Sequence, residues 1–263
     1  MCLISRIVAL ALTAALIGGT YAGVARSAES RILRIACAAD MRFALEEILT
    51  AFRPKHEDIE VRATYGSSGN FYAQLSNRAP FDVFLSADVD YPRRLIREGL
   101  APPESEFVYA VGRIVLWVPQ SSPIDIERLG IQALLAPSVQ KIAIGNPRYA
   151  PYGRAAESAM KSLGVYDKVH DRLVLGDSIL QAAQFVESGA AEIGIISHSL
   201  TLRPPLQGKG RSWEVPLDAY PRREQGGVIL AWAQDRGAAE TFRTFMIGDD
   251  GKAILKKFGF DIP

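Results

Sequence analysis

From Arg31 to the end of the chain, short apolar runs alternate with longer stretches in which apolar residues recur every three or four positions. The first kind predicts buried strands and the second predicts amphipathic helices. Residues 33–37 read as a strand, and residues 42–52 as a helix with Glu46 and Glu47 on its exposed flank and Asp40 placed to cap it. Strands follow at 59–65 and 81–85 and helices at 71–76 and 91–98, the last stopped by Gly99. A second unit starts near Arg113, with strands at 114–118, 142–144, 173–175 and 193–196 and helices at 154–163 and 178–188. Residues 201–211 hold two prolines and two glycines and read as a surface excursion. A strand over 227–233 and helices over 238–247 and 251–258 close the pattern. Strand and helix in alternation predict an α/β fold with mostly parallel sheets and functional loops at the carboxyl ends of the strands.

Those loops have an unusual composition. Ala38-Ala39-Asp40, Gly66-Ser67-Ser68-Gly69-Asn70, Pro151-Tyr152-Gly153 and Gly176-Asp177-Ser178 each stand where an apolar run gives way to a helical pattern. Helix starts of this kind leave backbone N–H groups free, and several of them around one cleft would form an anion site without lysine or metal. If the strand near Val228 returns to the first sheet, the chain crosses twice between two lobes and the cleft collects loops from both. A single α/β domain with ordinary loops is the alternative at this level.

The first residues add a question of transport. One positive charge, Arg6, precedes the apolar stretch 7–19, and Gly23-Val24-Ala25 offers the small residues of a signal-peptidase site. Cleavage is expected after Ala25, with Ala28 as the second choice because Arg26 stands three residues before that cut. Neither this stretch nor any later one reaches the roughly 20 apolar residues of a membrane-spanning helix. Cys2 lies before the apolar segment, so Cys37 is the only cysteine of the mature chain and no internal disulfide is expected. Removing residues 1–25 takes the formal charge from +1 to zero. A neutral chain without a dense basic stripe argues against nucleic acid as a partner.

Catalytic signatures are weak. His56, His170 and His198 are far apart and fit no metal-ligand spacing, and Gly66-Ser67-Ser68-Gly69 lacks the Lys-Ser/Thr ending of a phosphate-binding P-loop. Cys37, inside Ile35-Ala36-Cys37-Ala38, reads as a small buried hydrophobe. A binding protein is expected, with no cofactor and no metal held directly by side chains.

Several segments in order resemble the periplasmic molybdate-binding proteins of ABC importers: Ala38-Ala39-Asp40-Met41, residues 65–71, residues 80–88, Ala150-Pro151-Tyr152-Gly153-Arg154-Ala155, residues 181–186 and Lys257-Phe258-Gly259-Phe260. The resemblance runs over residues 33–263. It implies a class II periplasmic binding fold, with lobe 1 from residues 31–111 and 224–263 and lobe 2 from residues 112–223. It also implies capture of molybdate or tungstate by a monomer that delivers it to a permease driven by a cytoplasmic ATPase. Phosphate, sulfate or another tetrahedral oxyanion is the alternative cargo, and a secreted α/β enzyme the remote one. Carried over by position, the oxyanion contacts fall on Ala39, Asp40, Ser68, Tyr152 and Ile179, with Ser67, Pro151, Ser178 and Ser197 as further cleft candidates. Some relatives have a tyrosine after the strand at 193–196, where this chain has Ser197.

Ser68 and the helix-start N–H groups suit an anion that only accepts hydrogen bonds. Asp40 does not, because an ionised carboxylate repels the ligand. The favoured reading turns its side chain back to cap the helix at Arg42 or Phe43, leaving its N–H for the anion. The other reading has it accept a proton from a ligand such as hydrogen phosphate.

Overall fold

The chain forms β1 (Arg31–Ala38), β2 (Ile59–Gly66), β3 (Val83–Ser86) and β4 (Phe107–Gly112) before it leaves the first sheet. It then forms β5 (Ile114–Pro119), β6 (Ile142–Gly145), β7 (Leu173–Gly176), β8 (Ile193–Ser197) and β9 (Gly210–Glu214), and returns with β10 (Arg223–Ile229). This is a computed structural model that describes residues 31–202 and 204–263; the signal segment expected over residues 1–25 lies outside them. Among the described residues no helix is long and apolar enough to cross a membrane.

Two five-stranded sheets result, in the orders β2-β1-β3-β10-β4 and β7-β6-β8-β5-β9. In the first, β1 runs parallel to β2 and β3, while β10 is antiparallel to β3 and β4. In the second, β6 runs parallel to β7 and β8, while β5 is antiparallel to β8 and β9. Each sheet therefore has three parallel strands whose carboxyl ends carry the loops, and an antiparallel pair beside them.

Helices cover both faces of the first sheet, so its central strand β3 is buried along its whole length, whereas the edge strand β2 alternates buried and exposed positions at its start. Leu33, Ile35 and Cys37 pack on one face with Leu45, Ile48, Phe52 and Phe242, whereas Ala36 and Phe84 pack on the other with Phe71, Leu75 and Leu95. In the second lobe Ile142, Ile144, Ile193 and Ile195 pack with Ala155, Ala159, Met160 and Val186. Cys37 is a buried free thiol in the first of these cores.

The chain passes between the sheets at Arg113 and again between Glu214 and Arg223. The Arg113 guanidinium donates to both carboxylate oxygens of Asp261 at 2.8 and 2.7 Å and to Glu214 at 3.3 Å, which ties the C-terminal segment to the crossover. Asp261 also pairs with Val111 through its backbone.

Four expectations from the sequence change. Phe107–Gly112 is a strand where the apolar pattern predicts no element, and β9 (Gly210–Glu214) takes in the last two residues of the segment that reads as a surface excursion. The returning strand begins at Arg223, four residues before the expected start, because its polar residues face partners in the lobe interface rather than water. Asp40 does not cap the helix Arg42–Phe52. Residues Ala39–Met41 form a 3-10 turn, Met41 is the capping position, and neither turn nor helix has a side-chain cap bond.

Candidate oxyanion site

Five strand ends point into one cleft. β1 leads into the 3-10 turn at Ala39, β2 into the helix Ser68–Ser76 and β3 into Ala87; opposite them, β6 leads towards the helix Pro151–Ser162 and β7 into the helix Ile179–Glu187. Ser67 and Ser178 are true N-caps, accepting from the N–H of Asn70 at 3.3 Å and of Gln181 at 3.2 Å. The helix at Ser68 thus starts three residues earlier than the apolar periodicity alone predicts, which puts Ser68 in its first turn.

Close backbone approach requires glycine at two of these junctions. A Cβ at Gly153 would lie 2.0 Å from the Gly145 carbonyl oxygen, so only glycine lets the second-lobe helix sit against β6. Across the cleft, a Cβ at Gly69 would lie 2.6 Å from the Tyr149 carbonyl oxygen, to which the Gly69 N–H donates at 2.9 Å. That bond joins one lobe to the other, and the lobes are closed.

Between them is a small cavity of about 10 Å³. Such a hollow suits one small ion and excludes organic ligands of ordinary size. Ala39, Asp40, Ser67, Ser68, Pro151, Tyr152 and Ile179 all line it. Ser178 lies instead on a neighbouring groove beside Asp177 and Ser67, and Ser197 is buried behind the cleft with its Oγ 2.7 Å from Ser199 Oγ. Ala38, Gly66, Ala87 and Ala150 line the cavity too, although the sequence does not single them out; their common signal is small size beside a strand-to-helix break.

The lining offers donors. Ser68 is 1% exposed, and its Oγ accepts from the Ala87 N–H at 2.9 Å, which leaves its own hydroxyl hydrogen to donate. Pro151 has no N–H, so Tyr152 supplies the first N–H of its helix; Ile179 does the same for the other helix of that lobe. First-turn N–H groups have no intrahelical partner, and the helix dipoles favour an anion at both points. No lysine, arginine or histidine lines the cavity.

Asp40 is the one ionisable carboxyl in the lining. Its Oδ2 accepts from the Tyr152 hydroxyl at 2.9 Å and from Gln225 Nε2 at 2.7 Å, and Gln225 Nε2 also lies 2.7 Å from the Tyr152 hydroxyl. Its carbonyl oxygen accepts from Ser199 Oγ at 2.9 Å. The Tyr152 hydroxyl is therefore committed to Asp40 and Gln225, which leaves the backbone of this residue for a ligand. Burial pushes the Asp40 carboxyl up to about 6, against the hydrogen bonds from Gln225 and Tyr152, its own backbone and the charge of Arg223, which all pull it down. Burial, and the Asp40 charge after it, hold the Tyr152 phenol well above its ordinary range.

A second contact closes the rim. Arg154, from the second lobe, donates to Asp88 of the first at 2.6 Å and to the Tyr91 hydroxyl at 3.2 Å, and the buried Arg223 approaches the same Asp88 oxygen at 3.5 Å. Sequence does not reveal Gln225 and Arg223, because they precede the apolar run that marks their strand. Arg154 and Asp88 fall inside segments that resemble the family, but nothing in sequence pairs residues 66 positions apart.

A family model described as bacterial extracellular solute-binding protein matches residues 33–261. The chain is 37% identical to the molybdate-binding protein ModA of Rhodobacter capsulatus over 90% of this chain and 91% of that one. Among solved structures, the periplasmic molybdate-binding protein of Azotobacter vinelandii superimposes with a TM-score of 0.82 at 33% identity, covering 88% of this chain and 99% of the other. The sulfate-binding protein SubI of Mycobacterium tuberculosis shares the fold, with a TM-score of 0.74 at 15% identity over 88% of this chain and 87% of that one. The two mixed sheets with a ligand-sized cavity between them are the class II periplasmic binding fold, a family of binding proteins and not of enzymes; among the described residues no group of three or more histidine, cysteine or acidic side chains could hold a metal ion. With that length of match and that identity, the chain belongs to the bacterial extracellular solute-binding proteins and, within them, to the molybdate-binding ModA family.

Proposed function

We propose that this protein captures molybdate or tungstate in the periplasm and delivers it, as a monomer, to an ABC permease driven by a cytoplasmic ATPase. The observation that carries the reading is the cavity itself: it is small, and its lining brings together the Ser68 hydroxyl of one lobe and helix-start N–H groups of the other, with Asp40 as the one carboxyl among them. Ala39, Asp40, Ser68, Tyr152 and Ile179 are the proposed contacts, with Ser68 giving its hydroxyl and Tyr152 and Ile179 giving backbone N–H groups. The names of the relatives support molybdate as cargo. The signal pattern of residues 1–25 supports export.

A fixed set of donors around a small hollow discriminates by ion size, because each donor reaches its oxygen only at the right radius. Sulfate is the second reading, favoured by the shared fold of a sulfate-binding protein. Calorimetric titration of dialysed mature protein decides between them. Molybdate and tungstate should bind one to one and about equally, with sulfate and phosphate at least a hundredfold weaker. Tighter binding of sulfate or phosphate overturns the assignment.

A further inference from the structure

We propose that Asp40 sets the anion selectivity of this cavity by taking up a proton as the lobes close, so that it meets the ligand as a neutral carboxylic acid and a hydrogen-bond donor. The inference rests on the oxyanion reading of the site and says how that site tolerates an acidic residue.

The geometry poses the problem. Asp40 is 2% exposed and lines the cavity, its Oδ2 holds two hydrogen bonds, and its Oδ1 is buried with no partner. An oxyanion without protons needs donors on every side. An ionised carboxylate would instead place like charges together in a dry site, where their repulsion is poorly screened. A proton on the carboxyl removes that charge and turns an orphaned acceptor into a donor.

The groups around Asp40 do not neutralise it in another way. Cys37, Tyr109 and Tyr152 are the titratable neighbours; burial holds the thiol and both phenols well above their ordinary values, so all three are neutral. Arg223 is the cation whose field reaches Asp40, but its guanidinium is placed against Asp88, which Arg154 also contacts. Gln225 is a neutral donor.

Closure supplies the coupling. Tyr152 and Ser199 come from the second lobe, so opening the cleft returns Asp40 towards water and its ordinary acidity. The closed lobes already raise its affinity for a proton, and an enclosed dianion raises it further. The proton comes from solvent and buffer and goes to the carboxyl; no bond to the ligand is made or broken. The sign follows: a carboxyl whose proton affinity is higher in the bound state favours binding at low pH, and binding weakens as pH rises through the bound-state value.

The test is calorimetric titration of molybdate into the mature protein in two buffers of different ionisation enthalpy, repeated from pH 6 to 8.5, for the parent and for Asp40→Asn. The parent should take up between half and one proton per anion at its titrating pH, and its affinity should fall towards tenfold per pH unit in that window. Asp40→Asn, with an amide donor in place of the acid, should take up none and show a flat profile. Saturable binding to the parent with no proton uptake and a flat profile overturns the proposal. Asp40→Ser serves as the second variant, and the parent's proton count decides alone should neither fold. Sulfate and phosphate are titrated in parallel. If one of them binds in place of molybdate, the cargo assignment fails while the proton count on that anion still decides the role of Asp40. If hydrogen phosphate binds and the parent takes up no proton, the proton resides on the ligand and the proposal is wrong. If none of the three binds, the oxyanion reading falls and the proposal with it.

Discussion

The two lobes present the same layout to the cavity and use different chemistry. In the first lobe the polar side chains are Ser68 and Asp40, each held by a specific partner, the Ala87 N–H for one and Tyr152 and Gln225 for the other, and Ala39 can add only its backbone N–H. In the second lobe the polar groups are backbone N–H groups at the starts of two helices, at Tyr152 and Ile179. A side-chain donor can be changed by one substitution. A backbone donor can only be displaced by moving its helix. Selectivity should therefore be tunable from the first lobe, whereas the second acts as a fixed half-shell whose weak points are packing positions.

The largest effect should come from Gly153→Ala, which attacks the half-shell through its packing. The new Cβ would meet the Gly145 carbonyl at 2.0 Å, and either β6 or the helix must shift. The expected cost is about 3 kcal/mol of stability, at the upper end for an overpacked site, with loss of anion binding because the Tyr152 N–H moves. Thermal melting and titration together check it. A variant that melts and binds like the parent would show that the second-lobe donors are not set by this contact.

Ser68→Ala attacks the first lobe directly. It removes a donor to a buried anion and should cost roughly 1.5–3 kcal/mol, one to two decades in affinity. It also removes the acceptor of the buried Ala87 N–H, so the free protein should melt somewhat lower as well. An unchanged dissociation constant would remove Ser68 from the site.

Arg154→Gln tests the rim. The Arg154–Asp88 pair links the lobes, but the Arg154 side chain is 35% exposed, so after solvent screening its loss should cost about 1 kcal/mol, roughly fivefold in affinity. Small-angle scattering should show the parent compacting on binding molybdate and the variant needing more anion for the same change. Identical profiles for the parent with and without bound anion would exclude substantial closure.

The smallest effect on affinity should come from Ile179→Val. It keeps the backbone N–H and should change binding by less than about threefold while costing roughly 0.5–1.5 kcal/mol of stability. A loss as large as that in Ser68→Ala would mean that the Ile179 side chain, not its N–H, meets the ligand, and the contrast between the lobes would fail.

The fold is largely legible in the sequence because its central strands are buried on both faces and stand out as apolar runs, residues 114–118 and 193–196 above all. The cavity is legible for a different reason: glycine, serine and proline at a strand-to-helix junction have few other uses, so residues 66–70 and 151–153 mark the site by residue type alone. Asp40 reads as a cap because a local rule applies to any aspartate before a helix, and the partners that override it, Tyr152 and Gln225, lie 112 and 185 residues away. Arg223 and Gln225 are hidden for a related reason. In a strand they read as exposed polar positions, whereas Arg223 is buried against Asp88 and Gln225 against Asp40 and Tyr152.

The central claim is that one oxyanion sits between the lobes, held by side-chain donors on one side and backbone donors on the other. The most direct measurement is a crystal structure of the protein with molybdate, with data collected on both sides of the molybdenum absorption edge. A single anomalous peak is expected inside the cavity, with its oxygens within hydrogen-bond distance of Ser68 Oγ and of the N–H groups of Tyr152 and Ile179. A peak outside the cavity, or an ion contacted by one lobe alone, would contradict the account.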